Sequence, residues 1–135
     1  MPVENSYDEG SNYLTTRFYG VLNEEDLISQ AEAVAANELI RPGLRELVDL
    51  RDIERVSAST DSLRNVIRMD IQNRDKLQGH LAAILAPSNY LFGMARMFEM
   101  MSESGGAPST IRVFRTMDEA KSWLDGDGKS SKSGK

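Results

Sequence analysis

The chain has 135 residues, 40% of them hydrophobic and 27% charged, with a net charge of −5 and no cysteine. That length supports one domain with a core of its own, and the missing cysteines exclude disulfides, thiolate metal sites and cysteine nucleophiles. The acidic balance argues against a nucleic-acid partner, which needs a basic surface for phosphate.

The body is more acidic than the total, because Lys129, Lys132 and Lys135 stand against Asp127 alone in the last stretch. No apolar run approaches the ~20 residues that span a bilayer. Met1-Pro2-Val3-Glu4-Asn5 lacks the basic and apolar regions of a signal peptide. The expectation is a cytoplasmic protein without an integral membrane segment; missing cysteine fits a reducing compartment.

Tyr13 to Val21 is rich in β-branched and aromatic residues and predicts a strand. A shorter strand over Val3 to Tyr7, turning at Asp8-Glu9-Gly10, would make it a hairpin. Asn23 then caps a helix whose first turn carries Glu24, Glu25 and Asp26, where the helix dipole favours negative charge. Leu27, Ile28, Ala31, Val34, Ala35 and Leu39 recur at helical spacing as its apolar stripe, and Pro42-Gly43 ends it.

Leu44 to Leu50 predicts a strand buried on both faces, running into the acidic end Asp49-Leu50-Arg51-Asp52. A helix capped by Ser59 or Thr60 follows to about Arg74, with Leu63, Val66, Ile67 and Ile71 inward. Leu81 to Ala86 is a continuous apolar run stopped by Pro87, a central parallel strand by its length and flanks. Ser88 or Asn89 caps a third helix ending near Gly105-Gly106, and Thr110 to Phe114 is the last strand. Thr116-Met117-Asp118-Glu119 reads as a capping box, opening a helix that buries Ala120, Trp123 and Leu124. From residue 126 the composition falls to Gly, Ser, Lys and Asp, which predicts a disordered tail over 126–135 behind a domain of residues 1–125.

Strands alternating with helices behind a hairpin imply a largely parallel, mixed sheet with right-handed crossovers. This order, with three stretches of residues, resembles the STAS domain family of sulfate transporters and anti-sigma-factor antagonists, in its small SpoIIAA-like bacterial branch. The stretches are Arg17-Phe18-Tyr19-Gly20-Val21-Leu22, Leu47-Val48-Asp49-Leu50-Arg51-Asp52-Ile53, and Phe114-Arg115 through Asp118-Glu119-Ala120-Lys121-Ser122-Trp123-Leu124. The resemblance spans Tyr13 to Leu124. It implies a single-domain SpoIIAA-like α/β fold, with a four- to five-stranded mixed sheet and about four helices.

It also implies a non-enzymatic regulatory module that docks a protein partner or itself and is modulated by phosphorylation at the start of the second helix. There the family carries Asp-Ser-Ser-Gly or Asp-Ser-Thr-Gly, and this chain reads Ser57-Ala58-Ser59-Thr60, with alanine at the usual phosphoacceptor. Ser57, Ser59 and Thr60 are displaced candidates for a phosphate or anion contact, or caps only.

SpoIIAA-like proteins further resemble CRAL-TRIO lipid-binding domains, so the alternative is a small apolar-ligand or lipid carrier. The third helix is rich enough in Met and Phe to serve either reading. Leu91, Met94, Phe98 and Met101 form one stripe, while Tyr90, Phe92, Met97 and Met100 lie off it. A pocket bounded by Tyr90, Phe92, Met94, Met97 and Phe98 would mark the carrier; an exposed patch over a packed interior would mark the partner module.

Asp49 and Asp52 are the one pair of carboxylates suited to a cation or to acid–base work, and arginine pairing would remove them from that role. The single histidine, His80, stands before its strand and is expected in a surface or loop role. No metal or other cofactor is expected.

Overall fold

The computed structural model describes residues 3–126. Apart from Gly126, the stretch read as a disordered tail lies outside the described residues. The elements are β1 (Val3–Asp8), β2 (Tyr13–Leu22), α1 (Glu24–Ala36), β3 (Arg45–Val56), α2 (Thr60–Gln72), β4 (Leu81–Leu85), α3 (Asn89–Ser104), β5 (Thr110–Phe114) and α4 (Met117–Asp125). They form a five-stranded sheet in the order β1-β2-β3-β4-β5. The β1–β2 pair is antiparallel and the remaining pairs are parallel. The expected mixed α/β sheet with four helices is thus the architecture found.

Local chemistry sets the helix starts. Asn23 and Ser59 each accept a hydrogen bond from the amide three residues on, and the side chains of Asp26 and Ser62 accept one from the cap amide in return. Ser88 rather than Asn89 caps α3. At α4 the Thr116 hydroxyl accepts from the Glu119 amide, but Glu119 takes the hydroxyl proton at 3.0 Å instead of reaching the backbone.

Two boundaries differ from expectation. β3 runs on to Val56, because its exposed second half still pairs with Tyr19–Leu22 of β2 across two register shifts. Gly20 (φ +73°) sits at the second of them, a conformation that suits glycine. And α1 stops at Ala36, so Leu39 falls outside its stripe and is 52% exposed.

Strand order equals chain order, so right-handed crossovers place α1, α2 and α3 on one face of the sheet. α4, which has no further strand to reach, folds onto the other face. There Leu47, Ala83 and Phe114 pack with Ala120, Trp123 and Leu124. β4 is covered on both faces, which is why it reads as an unbroken apolar run. Trp123 is 3% exposed and lies 5.8 Å from the Phe114 ring, centroid to centroid. Trp123→Ala is expected to lower unfolding free energy by about 3–5 kcal/mol, read from urea denaturation.

Candidate functional site

Along β2 and β3, alternate residues turn toward the three-helix layer: Leu14, Thr16 and Phe18, then Glu46, Val48 and Leu50. Above them α1 and α2 pack on each other and α2 on α3, while close backbone contact with the sheet comes mainly from α3 on β5. A partly open cavity of about 170 Å³ lies between helices and sheet. Native interiors hold few voids larger than a water, and an apolar cavity of about 150 Å³ accommodates benzene. The void follows from small side chains where layers meet: Ala31 and Ala35 on α1, Ala58 before α2, Ala82 on β4 and Ala95 on α3.

Of the residues singled out on α3, Met94 and Phe98 line the cavity and the other three do not. Tyr90 is 63% exposed, Phe92 lies under the Arg115 guanidinium at 4.1 Å, and Met97 is half-buried outside the wall. The fully buried line of α3 is Leu91, Ala95, Glu99 and Ser102, one step round from the expected stripe. Glu99 is tolerated there because Arg112 and Arg96 approach it at 3.5 and 4.0 Å. The pocket's remaining helical wall comes from α1 and α2, through residues such as Leu27, Val34, Leu63 and Val66.

The hydroxyl-rich loop borders the same cavity through Ala58. Ser59 is committed to the capping box, and the Ser62 hydroxyl donates to Glu24 Oε1 at 3.0 Å. Asn65 Nδ2 donates to Glu24 Oε2 at 3.1 Å. A carboxylate of α1 therefore already occupies the anion-favouring start of α2. Ser57 and Thr60 are exposed.

Asp49 and Asp52 are each engaged by an arginine. Asp49 lies on the α4 face, receiving the Arg51 guanidinium and backbone amide, while Asp52 accepts from Arg17 Nε at 2.8 Å. Burial alone would raise the Asp49 carboxyl, but the Arg51 hydrogen bonds hold it below its usual value. Both carboxylates considered from sequence are thus taken up in arginine pairs. Among the described residues no group of three or more His, Asp or Glu is placed to hold a metal ion.

At the amino ends of the parallel strands the cavity closes on a buried polar seam that sequence reading missed. Asn5 and Gln30 exchange amide hydrogen bonds at 2.9 Å, and Gln30 also donates to Thr16 Oγ1. Thr16 Oγ1 lies 3.0 Å from Glu46 Oε2, Glu46 Oε1 lies 3.0 Å from His80 Nε2, and His80 Nδ1 lies 2.6 Å from Ser109 Oγ. His80 is thus not a surface residue: it is 7% exposed, drawn in because Glu46 and Ser109 satisfy both ring nitrogens. The order Ser–His–Glu is that of an activated serine, although Ser109 faces Nδ1 here and the glutamate is shared with Thr16. Period-two alternation carried the clue, since it puts polar Thr16 and Glu46 on an otherwise apolar inward face.

Asp70, on the last turns of α2, faces this seam. Burial pushes its carboxyl up from 3.8 to about 6, with His80 pulling down and Glu46 pushing up.

Compared with known proteins, the sequence matches no family model and no curated protein. Its structure is similar to the crystal structure of an uncharacterized protein from the DUF3478 family, with a SpoIIAA-like fold, from Shewanella loihica PV-4. The two share 16% identity and a TM-score of 0.56, over 90% of this chain and 93% of that one. The fold is therefore SpoIIAA-like, as the resemblance implied. Among the described residues no helix is long and apolar enough to cross a membrane.

Two variants test this geometry. Between pH 3.8 and about 6 the native state binds a proton at Asp70 that the unfolded state has lost, so stability falls as pH rises through that window. Asp70→Asn should exceed the wild type in stability by up to about 3 kcal/mol at about pH 8, and the gap should close near pH 4, in chemical denaturation across pH. Ser59→Ala should cost about 1 kcal/mol by loss of the cap, in the same assay.

Proposed function

We propose that this protein is a non-enzymatic binding module that holds a small apolar molecule between its helical layer and its sheet. The observation that carries this reading is the cavity of about 170 Å³, walled by apolar side chains and closed at one end by polar ones. An apolar wall with a few placed polar groups is the usual make-up of a small-molecule site. A core serving only stability would gain by filling that space, since cavity volume costs about 24 cal/mol per Å³. The SpoIIAA-like fold hosts the reading without proving it, because one fold carries many functions.

A regulatory, partner-docking role is the second reading. The exposure of Ser57 and Thr60 on either side of cavity-lining Ala58 favours it, because a ligand and a docking loop would then share one helix start. Phosphate added there would stand near Glu24 and Asp61, so it would act by repulsion, loosening the start of α2. Native mass spectrometry of protein isolated from its own cells separates the readings: a bound small molecule supports the first, phosphate on Ser57 or Thr60 the second.

Benzene is the probe for the cavity itself. Titration should give saturable NMR amide shifts at cavity residues of α1, α2 and β3. Ala31→Leu, which fills the void from α1, should weaken binding at least about tenfold while raising thermal stability. Linear, non-saturating shifts in the wild type would overturn the carrier reading.

A further inference from the structure

The polar end of the cavity has a property that the binding reading does not use. The polar side chains in its wall are Gln30, Glu46, Asp70, Asn73, Lys76, His80 and Ser109. Gln30, Glu46, His80 and Ser109 are joined in the seam. Asn73 Nδ2 donates to the Met69 carbonyl at 2.9 Å, and Lys76 Nζ donates to the carbonyls of Ala35, at 2.9 Å, and Asn37, closing the end of α1. Asp70 alone among them has no hydrogen-bond partner, and its carboxyl borders the void.

Position gives this meaning. α2 runs antiparallel to the strands beneath it, so Leu63 and Val66 near its start lie toward Val56, and Asp70 lies over Glu46, His80 and Ser109. The cavity therefore has an apolar length and one polar end. The charged groups facing Asp70 are Glu46 from β3 and His80 from the turn before β4, with Lys76 beside them already committed to α1. α1 adds only neutral Gln30 to this end, and the wall residues of α3 are apolar. A ligand carboxylate would meet two protein carboxyls and no free lysine. An alcohol would supply one hydrogen bond, and an ammonium group would supply several together with the opposite charge.

We infer that this end is a head-group site for an apolar primary amine, with Asp70 as its acceptor and the alkyl or aryl part lying in the cavity. The inference rests on the binding reading above and adds the ligand's chemical class. The cavity's volume suits a chain or ring of about six carbons, by comparison with the void that takes benzene.

Hexylamine, 1-hexanol and hexanoate, titrated at neutral pH against the full chain with benzene as reference, separate the possibilities by NMR amide shifts. Hexylamine should bind more tightly than hexanol and at least about tenfold more tightly than hexanoate, as a charge-assisted hydrogen bond supplies. Asp70→Asn, which breaks no hydrogen bond in the fold, should remove the amine's advantage and leave hexanol within about twofold of its wild-type affinity. Hexanoate binding as well as hexylamine, or an amine preference surviving in Asp70→Asn, overturns the head-group assignment. If benzene binds and the amine has no preference, that assignment alone fails; if neither benzene nor any hexyl compound binds, the cavity reading fails with it.

Discussion

Handedness is the constraint from which the rest follows. A chain that lays its strands side by side in sequence order, with each parallel crossover right-handed, must put every intervening helix on the same face. Here that face receives α1, α2 and α3, and the opposite face receives only α4. The α4 side is closely packed, with Trp123 and Leu124 against Leu47 and Ala83. On the other side the layer is pinned where α3 meets β5 and where Glu24 joins α1 to α2. The alanines between those pins do not fill the gap. The cavity is thus a product of topology and side-chain size together, without any unusual loop or strained backbone.

The polar seam is the second consequence. Crossovers bring the amino ends of β2, β3, β4 and β5 side by side, and a residue from each reaches the same layer: Thr16, Glu46, His80 and Ser109. A buried carboxylate or imidazole without partners would cost several kcal/mol. Here each is matched to a neighbour on a different element, so the seam stabilises only the arrangement in which those elements are in register. It also leaves no spare donor for Asp70. Glu46 and His80 are the charged groups that Asp70 meets at that end, and Lys76 beside them is bonded to the carbonyls that end α1.

Much of the fold was legible in the sequence because its signals are local. Cap residues, the Pro87 stop and the apolar run at Leu81 each act within a few residues. What was not legible depends on distance. His80 looks like an exposed turn residue until Glu46 and Ser109, 34 and 29 residues away in sequence, are seen to bury it. The exposed half of β3 lacks an apolar pattern and is strand only because β2 extends alongside it. The third helix shows the limit most clearly. Its methionines advertised a binding wall, but α1 and α2 share that wall, and their contribution lies in alanines, whose significance is the space they leave.

α2 ties the two candidate regions into one mechanical element. Its first turn is held by the Ser59 cap and by Glu24 through Ser62 and Asn65, and its last turns carry Asp70 into the cavity. The helix has 13 residues, about 20 Å end to end. A ligand too large for the void must displace a wall, and α1 and α2 are the helices least tied to the sheet. If they move together, the Glu24 contacts travel with them and Ser57 and Thr60 change position relative to the end of β3. If α2 moves alone, those contacts break and the start of the helix loses its internal anion. Either motion would carry occupancy of the cavity to the exposed loop, because α2 borders both.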